Sequence, residues 1–226
     1  MRYAHMWETL SPDPWVRRVV NEGYKLEFSS PPPRGGCFRT TPIPRSRDQR
    51  LALEKEISDL LEKEAIYVVT DPTQSLYRYS FFLTPKKPDS WRPSINLKPL
   101  NKAYIRPRRF RMETLAVILP SLLQGSWATS LDLKDAYLHI PIHPSHHKFL
   151  AFRYRGVDYC FRALPFGLST APRVFTRVTR AVLAFLRRKG ILVFAYLDDW
   201  LLVAHSAQEA REITSFTMST LQELGW

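Results

Sequence analysis

The stretch ILVFAYLDDWLLVA, residues 191–204, restricts this chain more than any other. Two apolar runs flank two adjacent carboxylates, Asp198 and Asp199. Such runs, broken by a polar pair, predict two buried strands joined by a tight turn. A turn of this kind ordinarily carries Gly or Asn, because its backbone visits positive φ. Two acids are an unusual choice there, and desolvated acids repel each other. A divalent cation resolves that repulsion, and magnesium takes oxygen ligands of this type. Taken alone, the dipeptide is equally compatible with a solvated turn.

A second acidic element removes that balance. LDLKDAY places Asp132 in a strand over residues 127–133 and Asp135 just beyond it. If the two strands are neighbours, Asp132 points toward the tip that carries Asp198 and Asp199. Three converging carboxylates are what two cations about 3.5–4 Å apart require. In-line phosphoryl or nucleotidyl transfer uses that arrangement.

Charge points the same way. The 226 residues hold 33 Lys and Arg against 21 Asp and Glu, a formal net charge of +12. That excess implies an anionic partner, and nucleic acid is the usual one. Thirteen per cent aromatic residues exclude a disordered tail. No run of 18 apolar residues exists to span a membrane, and MRYAHMWETL lacks a signal-peptide core. Cys37 and Cys160 are far apart, which suits a reducing compartment. The expectation is an intracellular protein of cytoplasm or nucleus, not a secreted one. The opening residues read as mid-protein sequence, and the chain stops just after a helical pattern. A segment of something longer is expected.

Along the chain, residues 1–45 read as an irregular arm around Pro31, Pro32 and Pro33. Ser46 and Gln49 resemble a capping box before a helix reaching about Ala65. Residues 66–97 read as strands with a turn at KKPDSW, Pro93 marking an edge or bulge. A short helix over 113–124 is broken at Pro120. A hairpin over 149–163 turns at Arg155 and Gly156. A helix capped by Ser169 or Thr170 buries Phe175, Val178, Val182 and Phe185 and stops at Gly190. Ser206 and Glu209 open a last helix. The fold class is α+β, a sheet with helices on one face.

LDLKDAYLHIPI, LPFGLSTAPRVF and YLDD occur in the order of motifs A, B and C of reverse transcriptases, and KKPDSWRPSINLKPLNK resembles their fingers motifs. The likeness covers about residues 45–225. Its style is similar to retrotransposon enzymes of the gypsy-like and DIRS-like groups, and SPDPWVRRVVNEGYKLEF resembles DIRS-type elements in particular. The resemblance implies a right-hand polymerase with an antiparallel, ferredoxin-like palm. Its parts would be an arm at 1–45, fingers at 46–112 and a palm at 113–226, with fingers elements at about 140–165 and a thumb beyond the end.

It further implies Asp132, Asp198 and Asp199 as metal-binding and catalytic carboxylates for two magnesium ions, with manganese as a substitute. Asp135, Ala136 and Tyr137 would line the nucleotide pocket, Tyr137 as the steric gate against a 2′-OH. Arg92 and one of Lys86 or Lys87, with Lys87 favoured, would grip the triphosphate. Phe166 and Gly167 match the motif B turn; many retroviral enzymes carry Gln where Phe166 stands. Lys98 and Asn101 match template-side positions. The implied partners are an RNA or DNA template-primer, dNTPs, and further domains of a parent polyprotein: RNase H and a tyrosine recombinase. Two alternatives remain open at this level. One is an RNA-dependent RNA polymerase on a related palm, against which Tyr137 argues. The other is a decayed or catalytically incomplete nucleic-acid-binding fragment.

Two weaker signals remain. His139, His143, His146 and His147 tempt a zinc reading, but their spacing is Pro-broken and solvated or phosphate-facing histidines are expected. Arg106, Arg108, Arg109 and Arg111 form a basic run, read either as a solvated face or as a contact to nucleic-acid backbone.

Overall fold

Hydrophobic spacing and turn chemistry set the order of elements. The structure, a computed structural model, describes residues 3–33, 37–87 and 90–226, with all side chains among them but those of 4, 37, 38, 86, 87, 90, 115 and 117. In chain order these are helices α1 (Ala4–Leu10) and α2 (Pro14–Glu22), strand β1 (Cys37–Phe38), helix α3 (Arg47–Glu62), strands β2 (Ile66–Val68), β3 (Tyr77–Arg78), β4 (Phe81–Lys87) and β5 (Ser90–Ile95), and helices α4 (Lys98–Ala103) and α5 (Leu115–Ile118). Then follow β6 (Trp127–Asp132), β7 (Ala151–Tyr154), β8 (Val157–Phe161), α6 (Ala171–Arg188), β9 (Leu192–Tyr196), β10 (Asp199–Ala204) and α7 (Ala207–Glu223). Mixed helices and sheets make this an α+β chain. It divides into two units. One comprises Met1–Asn21, Arg108–His139 and Pro172–Trp226; the other comprises Glu22–Pro107 and Ile140–Ala171.

The first unit is built on an antiparallel sheet in the order β6-β10-β9. Trp200, Leu202, Val203 and Ala204 of β10 are buried, as the apolar run predicts. Helix α6 buries Phe175, Val178, Val182 and Leu186, each fully, at intervals of three and four that keep one face inward. Gly190, at φ +83°, ends it in the left-handed conformation that glycine adopts freely. Helix α7 packs on β10 and β6. Its Ser206 Oγ accepts from the Glu209 amide at 3.1 Å, and Glu209 Oε2 accepts from the His205 amide at 2.7 Å. That reciprocal pair is a capping box in substance.

The arm differs from expectation. Residues 4–22 are two helices, not irregular chain. Asp13 accepts from the Trp15 amide at 2.8 Å, and Pro14 takes the first helical position of α2, where no amide is missed. Val16 and Val19 bury one stripe. Trp7 of α1 is 1% exposed and donates from Nε1 to the Leu224 carbonyl at 3.3 Å. The Asp13-Pro14 start and the Val16–Val19 spacing are helix signals carried by the sequence itself.

The second unit holds a five-stranded sheet, β1-β3-β7-β8-β2, and a separate β4-β5 ribbon. The ribbon's register shifts between Pro85 and Lys87, a bulge, and Pro93 faces Leu83 where no central ladder needs its missing amide. Helix α3 buries Leu53, Ile57 and Leu60. Ser46 stands at its N-cap but makes no side-chain cap bond, so that expected capping box is only positional. Strands β7 and β8 join at Arg155 and Gly156, with φ of +46° and +81°, the paired positive values of a type I′ hairpin turn.

His146 and His147 are packed in this unit rather than standing in solvent. His146 Nδ1 accepts from the Leu26 amide at 2.9 Å, and its ring lies against Phe28 and Phe149. Burial, with the neighbouring charges of His143, Lys25, Lys148 and His147, lowers its pKa to about 4. His147 Nε2 lies 2.8 Å from the Ile142 carbonyl. Among the described residues no helix is long and apolar enough to cross a membrane.

Candidate active site

The acidic tip lies in the first unit. Strand β10 pairs with β6 so that Asp199 stands directly opposite Asp132. Directly opposed residues of an antiparallel pair share a face, with Cβ atoms about 4.5–5.5 Å apart. The ladder runs one step further: the Leu133 amide donates to the Asp198 carbonyl at 3.0 Å. Asp132, Asp198 and Asp199 therefore meet at one end of one sheet, on neighbouring backbone positions. All three are exposed. The apolar runs of β9 and β10 are largely buried but the carboxylates are not, which corrects the expectation of desolvated acids.

The turn between β9 and β10 is made by Leu197 and Asp198 alone. Leu197 has φ +57°, and among these two only Leu197 is left-handed. That is the pattern of a type II′ turn, whose first position normally takes Gly. A leucine there costs about 1–2 kcal/mol. Trp200 supports the turn by donating from Nε1 to the Leu197 carbonyl at 3.2 Å, and its ring is 1% exposed. Asp135 is also left-handed, at φ +54°, and its carbonyl accepts from the Leu138 amide at 2.7 Å. This starts a short 3-10 turn over Ala136–His139, with Ala136 7% exposed.

Tyr137 extends from that turn. Its ring meets Phe175 of α6 edge-on, centroids 5.5 Å apart. Burial and the charge of Asp198 both raise its hydroxyl's pKa. Trp226 stacks on Phe175 at 5.7 Å and on His139 at 5.6 Å, closing the other side of that aromatic group.

The remaining predicted residues lie in the second unit. Arg92 is exposed on β5, its carbonyl accepting from Thr84 Oγ1 at 3.2 Å. The side chains of Lys86 and Lys87 lie outside the described residues. Lys98 is exposed at the start of α4. Gly167 has φ +89°, and a Cβ there would fall 2.8 Å from the Ile95 carbonyl, so only glycine fits. Phe166 beside it is 41% exposed. Asn101 holds this turn from both ends of its amide. Nδ2 donates to the Gly167 carbonyl at 2.7 Å, and Oδ1 accepts from the Ser169 amide at 2.9 Å. Sequence reasoning placed Asn101 near template and missed this positioning role, which links residues 66 positions apart.

With this geometry in place, comparison with known families is decisive. A sequence model described as Reverse transcriptase (RNA-dependent DNA polymerase) matches residues 84–226. The chain belongs to that family. The match spans β4 through α7, so both the acidic tip and the Asn101-held turn of this reverse transcriptase domain fall inside it. Members act on a nucleic-acid template-primer and dNTPs, and they generally use divalent ions. The donor set here suits such ions, being hard carboxylate oxygens at adjoining positions. As the side chains stand, no three His, Cys, Asp or Glu groups among the described residues are close enough to hold one.

Proposed function

We propose that this domain transfers dNTPs to a primer 3′-OH by two-metal catalysis, with Asp132, Asp198 and Asp199 holding two magnesium ions, or manganese in their place. The Asp132–Asp199 pairing, extended by the Leu133–Asp198 bond, is the observation that carries this reading. Bound there, the ions would activate the attacking hydroxyl and steady the leaving oxygens. The protein's part is to orient. The strained Leu197 turn fixes Asp198, the β6 ladder fixes Asp132, and Trp200 anchors the tip from beneath.

Tyr137, braced by Phe175, serves as the steric gate, with Asp135 and Ala136 completing the sugar and triphosphate side. Arg92 and Lys87 grip the triphosphate. Phe166 and Gly167 meet the nucleotide, and Lys98 and Asn101 lie on the template side. On this reading the first unit is the palm and the second the fingers. The motif style supports a gypsy-like or DIRS-like retroelement as the parent, joined to RNase H and a recombinase.

The test is primer extension by Asp198→Asn on a defined template-primer. A loss of at least a hundredfold is expected, with the circular-dichroism spectrum unchanged. Extension within tenfold of the unaltered protein sinks the carboxylate assignment. In parallel, Tyr137→Ala should raise rNTP use relative to dNTP use. An unchanged ratio removes Tyr137 from beneath the sugar.

A further inference from the structure

Helix α6 has two chemically opposite faces. Phe175, Val178, Val182 and Leu186 face the sheet. Arg173, Arg177, Arg180 and Arg188 lie about 180° away at 100° per residue. That outer face lines a cleft of ≈ 570 Å³ in the first unit. Its other wall is Ser11, Pro12, Asp13 and Val16, together with Arg109, Phe110 and Arg111. Six arginines thus line one cleft against a single carboxylate, Asp13. A merely solvated face would not gather like charges into a concavity, where their repulsion is greatest.

Those same arginines tie the walls of the cleft to one another. Arg177 donates to Asp13 through Nε and Nη2 at 3.0–3.2 Å while lying 4.2 Å over the Trp15 ring. Arg180 donates to the Arg111 carbonyl at 3.1 Å, and Arg188 to the Leu10 carbonyl at 3.3 Å. Each contact engages part of a guanidinium that has five N–H donors. Between Arg180 and Arg188 the helix presents only Ala181 and Ala184 to the cleft, leaving its floor open to a backbone-sized group. Phe110, 37% exposed, stands at the rim between two arginines.

We propose that this cleft is a second nucleic-acid site, which holds the phosphodiester backbone of a single strand apart from the acidic tip. The arginine row from 173 to 188 extends about 22 Å along the helix axis, enough for roughly six phosphates of a stacked strand. Guanidinium forks match phosphate oxygens, and an exposed ring among them offers a stacking platform for a base. An acidic peptide would satisfy the charges but would leave Phe110 without a use. None of the residues named for the cleft is in the proposed nucleotidyl-transfer machinery, so the site stands whether or not that reading does.

The experiment uses the whole 226-residue chain with fluorescent 12-nucleotide oligo-dT and oligo-U, titrated at several salt concentrations. Arg109→Glu/Arg111→Glu/Arg180→Glu should weaken binding of both probes at least tenfold and lower the salt slope by about 2, given roughly 0.7 per single-strand phosphate contact. Asp198→Asn should leave that binding unchanged even where it abolishes extension. Binding by the triple variant within twofold of the unaltered chain overturns the proposal. Because charge reversal risks the fold, a second measurement needs no variant. Photocrosslinking of the unaltered chain to a 4-thiothymidine oligomer should mark Phe110 or Trp15. Adducts confined to residues 127–139 and 196–204 overturn the site. So does a polyglutamate of equal length that displaces the strand as well as unlabelled oligo-dT does.

Discussion

Two hairpins whose turns lie among the described residues, β7-β8 and β9-β10, are closed by two residues each, and they are built on opposite terms. The β7-β8 turn uses Arg155 and Gly156, both at positive φ, with no atom near where a Gly156 Cβ would stand. The β9-β10 turn uses Leu197 and Asp198, with a leucine in the left-handed region and an exposed acid beside it. Beneath the first, Asp158 of β8 is clamped by Arg78 and Arg153, and only 12% of its side chain is exposed. At the second, three carboxylates stand exposed with a strained backbone holding them. One hairpin places an acid for stability; the other, on the function proposed above, places acids for chemistry. Strain and unneutralised charge collect where the fold has something to do other than persist.

The largest stability effect should come from the first hairpin. Burial would raise the Asp158 pKa, but its hydrogen bonds and charge contacts with Arg78 and Arg153 hold it down to about 2. Asp158→Asn removes the carboxylate that the Arg78 and Arg153 guanidiniums share and should cost about 3 kcal/mol. Urea denaturation of that variant beside Asp199→Asn checks the comparison. The Asp199 variant should lie within about 0.5 kcal/mol of the parent, because removing an exposed charge from an acidic cluster breaks no ion pair. Equal losses would mean that the two hairpins do not differ as argued.

Acid should expose the same difference in two steps. The His146 pKa is lowered to about 4, so the unfolded chain takes up the proton first. Its contribution is fully present above about pH 6.5 and is lost as pH falls toward 4, on the order of 2 kcal/mol after screening. Asp158, with its depressed pKa, contributes above about 3.8 and loses that stability as pH falls toward 2, again on the order of 2 kcal/mol. His146→Phe should flatten the upper step and leave the lower. A denaturation midpoint that is level between pH 7 and 4.5 would remove His146 from the account.

Much of the acidic tip was legible in advance. Apolar runs around Asp198 and Asp199 fix a buried hairpin, and alternation through LDL puts Asp132 in a strand. The pairing of Asp132 with Asp199 was conditional on neighbouring strands, which residue pattern alone does not specify. The left-handed Leu197 left no trace, because leucine carries no turn signal. The histidine cluster misled for a related reason: spacing along the chain does not tell a packed ring from a wet one. The arginine face of α6 stands in the sequence as R-x-x-x-R-x-x-R, a spacing that by itself marks only a row on a helix surface. Only α2 and the 109–111 segment, distant in sequence, turn that face into a cleft.

The smallest effects sharpen the contrast between the two turns. Gly156→Ala puts a Cβ at φ +81°, which should cost about 1 kcal/mol although no neighbour is touched. Leu197→Gly should behave in the opposite sense. It releases about 1–2 kcal/mol of left-handed strain and gives back about 0.5–1 kcal/mol through glycine's larger unfolded-state entropy. The sum is near zero to slightly stabilising, read as a melting temperature unchanged or raised by a few degrees. Extension by the same protein should nonetheless fall severalfold, since a glycine turn no longer fixes the direction of Asp198. Stability held while activity drops would mark the strain as part of the site. Should Leu197→Gly melt as low as Gly156→Ala, the leucine is there for packing, and the two hairpins are closed on the same terms after all.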